Sequence, residues 1–68
     1  MEQETEKILE KIRSERIERK ISLFKLSTEV GIAHSHLYYI EKKRVIPSID
    51  VIVKISKALG LTLKELVE

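Results

Sequence analysis

The stretch from Leu26 to Pro47, LSTEVGIAHSHLYYIEKKRVIP, constrains this chain more than any other. It contains two short apolar patterns of helical period that meet at Gly31. Leu26 and Val30 lie four apart in the first, and Leu37 and Ile40 lie three apart in the second. Both spacings put the pair on one side of a helix. Gly31 falls where a helix ends in a left-handed residue, and Pro47 breaks the chain that follows. Two short helices joined by one tight turn predict a pair in which the first supports the second.

Composition narrows the frame around that pair. The chain has 68 residues and no cysteine, so neither a disulfide nor a thiolate metal site can staple it. A single domain spanning 1–68 of this size buries only about 60% of its unfolded surface, and helix packing has to supply the stability. One proline and two glycines are too few for an all-β chain with its many turns. Net charge is +2, a mild bias toward anionic partners. Three of the first six residues are acidic and none is basic, whereas Lys42, Lys43 and Arg44 form a basic run. The amino-terminal decapeptide MEQETEKILE lacks the apolar core of a secretion signal, and no apolar run reaches the roughly 20 residues of a membrane span. A cytoplasmic protein that makes no use of a membrane is expected.

Taken in order, residues 3–20 form one charged helical pattern, with the first five residues expected to fray. Ile8, Leu9, Ile12 and Arg16 line one stripe that Ile17 and Ile21 continue. Glu6 with Lys11 and Glu15 with Arg19 offer local ion pairs, each worth only about 0.3–0.5 kcal/mol. Ser22 is a good N-cap for the second helix, and small Ser27 allows close approach of a neighbour. The third helix runs from about Ala33 to Lys43. After Pro47, Ser48 caps a fourth helix with apolar positions at Ile49, Ile52, Val53, Ile55, Ser56 and Leu59, ended by Gly60. Thr62 to Glu65 reads as a capping box opening a last short helix that carries Leu63, Leu66 and Val67. The expectation is an all-α, compact five-helix domain.

On the third helix Leu37 and Ile40 define the inward side, and Glu41 falls near it. Ser35, Tyr38, Tyr39 and Lys42 share the opposite side, His34 stands at the amino-terminal end and His36 projects sideways. A stripe that is polar, aromatic and basic suits DNA. Histidine and serine can bond base edges or phosphates, and tyrosine can use its hydroxyl or pack on a thymine methyl. Other chemistry fits poorly. Histidines at i and i+2 diverge on a helix and have no third ligand, so no metal is expected. Ser35 has neither an Asp partner nor an elbow motif, so no enzyme is expected either.

Ile12-Arg13, Arg16, Ser22, Leu26-Ser27, Gly31-Ile32, Leu37, Ile40-Glu41, Pro47-Ser48, Ile55, Ala58-Leu59-Gly60, Leu63 and Leu66 agree in order with one known family. Over Ile8 to Val67 the sequence resembles the Cro and phage-repressor type of helix-turn-helix regulators, the XRE family, whose fold is lambda-repressor-like. Its lean build is similar to restriction–modification controller proteins. The resemblance implies that the third helix is the recognition helix. It implies base or phosphate contacts at His34, Ser35, His36, Tyr38 and Tyr39, and a backbone contact at Lys42. It also matches Arg16 and Glu41 to a pair joining the first helix to the third. The sequence departs from the family where Leu23 replaces a phosphate-binding Gln and Ala33 replaces a Ser or Thr cap. Lys20 and Lys43 replace common glycines. The substitution at Lys43 predicts a different path for the loop after the third helix.

Lys25, Lys42, Lys43 and Arg44 are the candidate backbone clamps. The apolar residues of the last two helices exceed what one small core needs. A dimer interface is therefore expected from Ile49, Ile52, Val53, Leu61, Leu63, Leu66 and Val67, with Leu23 and Phe24 as a further contact surface. The expected function is a sequence-specific DNA-binding transcription regulator, acting as a homodimer on a pseudo-palindromic operator in double-stranded DNA. It would repress by covering a promoter or activate by touching RNA polymerase. An antitoxin that also binds a toxin, or a protein-interaction module on the same fold, are the alternatives. No cofactor is expected.

Overall fold

A computed structural model of the chain describes all 68 residues. Five helices follow one another without a strand: α1 (Gln3–Glu18), α2 (Leu23–Val30), α3 (His34–Glu41), α4 (Ile49–Ala58) and α5 (Leu63–Val67). This is the expected all-α architecture, with differences at several boundaries. The first helix starts at Gln3, inside the segment expected to fray, and ends two residues before Lys20. The third starts at His34 and ends at Glu41.

Local chemistry sets these ends. Ser22 and Ser48 accept the backbone N–H groups of Lys25 and Val51, which have no partner within the first helical turn. In the capping box of α5, Thr62 Oγ1 accepts from the Glu65 N–H at 3.1 Å and Glu65 Oε1 accepts from the Thr62 N–H at 2.9 Å. The Thr62 backbone N–H, and after it the Thr62 hydroxyl, favour the ionised carboxylate and hold the Glu65 carboxyl below its ordinary value. At their other ends, α1 to α4 each turn off through a left-handed residue: Lys20, Gly31, Lys43 and Gly60. Lys43 corrects the expected change of loop path. With φ of 62°, it takes the conformation that glycine usually takes there. The N–H groups of Lys43 and Arg44 bond back to Ile40 and Tyr39, as in the usual glycine-ended helix.

Ten apolar residues from all five helices form one core: Leu9, Ile12, Leu26, Val30, Leu37, Ile40, Ile52, Ile55, Leu59 and Leu66. Each contributes about 1.5–3 kcal/mol by leaving water. Ser27 and Ser56 are buried among them, and each hydroxyl donates to the carbonyl one turn back, at Phe24 and Val53.

Three surface expectations change. Ile17 is exposed rather than part of the apolar stripe, because five residues beyond Ile12 it lies about 140° further round the helix. Glu15 pairs with Arg19, but Lys11 does not pair with Glu6. The Lys11 ammonium instead donates to the Glu65 carbonyl at 2.6 Å, at the carboxyl end of α5, where a cation is favoured. Ile52 and Leu66, expected at a dimer interface, lie in the core. A single chain already covers nearly all of both, so they have little surface to offer a second copy.

Candidate nucleic-acid interface

The turn at Gly31 and the core residues beside it aim α3. Ile32 packs against the core just after the turn, and Ala33 adopts the extended N-cap conformation without a side-chain cap. Leu37 and Ile40 then anchor the helix, and neither is accessible to water. Glu41, the next residue on that side, meets Arg16 of α1. Arg16 Nε donates to Glu41 Oε2 at 2.7 Å and Nη2 donates to Oε1 at 2.9 Å. The two side chains are 14% and 5% exposed, so the pair is largely out of solvent. The third nitrogen, Nη1, donates to the Ile21 carbonyl at 2.9 Å. One guanidinium therefore joins α1, the loop before α2, and α3.

With one side fixed, the opposite side of α3 is left open. His34, Ser35 and His36 are exposed, and Tyr38 and Tyr39 are 44% and 43% exposed. The tyrosine rings meet edge to face with centroids 5.5 Å apart. The Lys42 ammonium lies 5.6 Å from the centre of the Tyr38 ring, which presents the cation at the end of the same face. Arg44 is exposed just beyond and pairs with no carboxylate. Lys25 is exposed on α2. Lys43 points elsewhere, since its ammonium pairs with Glu10 on α1. No group of three or more acidic, histidine or cysteine side chains is placed to hold a metal ion.

Two neighbours of this face were not read from the sequence. The Phe24 ring lies against the His34 ring, centroids 6.1 Å apart. Leu23 does not join it outside; it packs partly buried against the core, which corrects its expected surface role. Arg13, Ser14, Glu10, Lys42 and Lys43 also line a groove between α1 and the end of α3. The position of Arg13, one turn before Arg16, was the available signal.

The other expected surface is at α4 and α5. Ile49 is 71% exposed, Leu63 and Val67 are exposed, and Val53 and Leu61 are partly covered, Leu61 by the core itself. Ile46, in the loop before α4, is exposed as well.

Two short helices set by a left-handed glycine, the second anchored inside and polar outside, define a helix-turn-helix protein. The chain matches the helix-turn-helix family over residues 12–66, and it belongs to that family in its XRE form, a family of DNA-binding regulators rather than of enzymes. No curated protein and no solved structure gives a match. No helix is long and apolar enough to cross a membrane.

Proposed function

We propose that the chain is a sequence-specific transcription regulator that binds a pseudo-palindromic operator as a homodimer, with α3 in the major groove. The observation that carries this reading is the division of α3 into two faces. Leu37, Ile40 and Glu41 are held by the core and by Arg16, while His34, Ser35, Tyr38, Tyr39 and Lys42 are exposed on the other side, with His36 exposed at its flank. Residues of these types bond base edges and phosphates in the major groove. Lys25, Lys42 and Arg44 supply backbone contacts; Lys43 joins them only by leaving Glu10.

A single eight-residue helix reads few base pairs. Two copies related by a twofold axis double the reading, with half-sites about one DNA turn, or 34 Å, apart. The exposed Ile49, Leu63 and Val67, with Val53 and Leu61, supply the apolar surface for that pairing. Covering a promoter in this way blocks transcription.

Sedimentation of the chain with and without duplex DNA, combined with binding across a salt series, tests the reading. Two chains per duplex are expected, with log affinity falling against log salt by about 0.9 per neutralised phosphate. A chain that stays monomeric on DNA, or a slope near zero, contradicts it.

A further inference from the structure

Phe24 is the most exposed aromatic residue of the chain, at 66%, although its neighbour Leu23 turns inward. The Phe24 ring rests on the ring of His34 at 6.1 Å with the planes tilted by 39°. His34 is the first residue of α3, and the amino-terminal residues of a recognition helix are those that reach base edges. The uncovered side of Phe24 therefore continues the α3 surface at its base-reading end. A phenyl ring can neither donate nor accept a conventional hydrogen bond, so it gains from DNA only by covering an apolar group. On the base edges of the major groove that group is the C5-methyl of thymine.

We propose that Phe24 is a specificity-determining contact: its ring packs on a thymine methyl in each half-site, and His34, held against it, addresses the adjacent base pair. The inference rests on the DNA-binding reading above and adds to it a residue of α2 and a chemical preference. Phe24 lies outside the core, so its replacement leaves the fold intact. A hydroxyl or an acidic group in its place would remove the preference, whereas leucine would retain part of it.

The test uses sites that the wild-type chain selects from random duplexes, resynthesised with deoxyuridine for each thymine in turn. Deoxyuridine lacks only the methyl group. Wild-type affinity is expected to fall about threefold to tenfold at one thymine per half-site. Phe24→Ala is expected to bind the thymine duplex correspondingly more weakly, to ignore that same replacement, and to keep its affinity for unrelated DNA and its melting temperature. If Phe24→Ala and the wild type respond alike to every replacement, Phe24 does not read a methyl and the proposal fails. An unaltered affinity in Phe24→Ala overturns it too and leaves the ring for a protein partner. Equal losses on selected and unrelated DNA make Phe24 a backbone contact, which also overturns it. If the wild type selects no site at all, the DNA-binding reading itself fails, and this inference with it.

Discussion

The guanidinium of Arg16 grips the carboxylate of Glu41 through two parallel bonds, of 2.7 and 2.9 Å, and uses its remaining nitrogen on the carbonyl of Ile21. The Ile21 N–H in turn donates to the Arg16 carbonyl at 3.1 Å. This closed set of bonds fixes the carboxyl end of α1 against the last turn of α3, and so sets the angle at which α3 is presented. Removing one partner leaves a nearly buried charge without its counter-ion, at a cost of about 3–5 kcal/mol. Glu41→Ala should therefore melt far below the wild type, since each kcal/mol moves the midpoint of a domain this size by roughly 4–8 °C. Glu41→Gln should weaken DNA binding as well as stability. If neither variant alters melting followed by circular dichroism, Leu37 and Ile40 hold α3 by themselves.

The left-handed lysines make a second pair of variants. A non-glycine residue costs about 1–2 kcal/mol in this conformation, which glycine adopts freely at the expense of a looser unfolded chain. Lys20→Gly should stabilise the protein by about 0.5–1 kcal/mol in denaturant titrations. Lys43→Gly relieves the same strain but loses the pair with Glu10, worth up to about 1 kcal/mol, and should gain less. A destabilised Lys20→Gly would show that the turn does not strain its lysine.

Acid should loosen α5. The Thr62 bonds hold the Glu65 carboxyl below its ordinary value of 4.5 in the folded chain. A carboxyl whose folded value is depressed contributes stability above its unfolded value and loses it as pH falls through the folded one. The melting midpoint should therefore decline below about pH 4.5, and Glu65→Gln should flatten part of that decline. Parallel curves for the two proteins would assign the acid sensitivity to other carboxylates.

Tyr39 tests the proposed reading face without touching the core. Tyr39→Ala should lose about 1–3 kcal/mol on the selected site and little on unrelated DNA. Lys42→Ala should weaken both alike and reduce the salt slope by about 1. Equal losses on both DNAs for Tyr39→Ala would make its role positional.

Much of this was legible in the sequence, and the rest was hidden for identifiable reasons. Ser22, Ser48, Thr62, Gly31 and Gly60 mark helix ends through local chemistry, which sequence carries directly. Lys20 and Lys43 were harder, because a lysine carries no mark of a left-handed backbone. Spacing puts Ile49, Ile52 and Leu66 on apolar faces but does not say which of them meets the chain's own core. The structure buries Ile52 and Leu66 and leaves Ile49 outside. The reach of Lys11 to α5, and the contact of Phe24 with His34, join residues whose pairing depends on how helices cross. The outward side of α3 was legible because a period of 3.6 sorts Leu37 and Ile40 from Tyr38 and Tyr39 without reference to any other helix.

Selection of bound sites from random duplex DNA by the wild-type chain tests the central reading most directly. Enrichment of an inverted repeat is expected, with half-site centres about 10 base pairs apart, and this enrichment should weaken with Tyr39→Ala. Recovery of unenriched DNA, or of a single asymmetric half-site, would contradict a twofold dimer that reads sequence through α3.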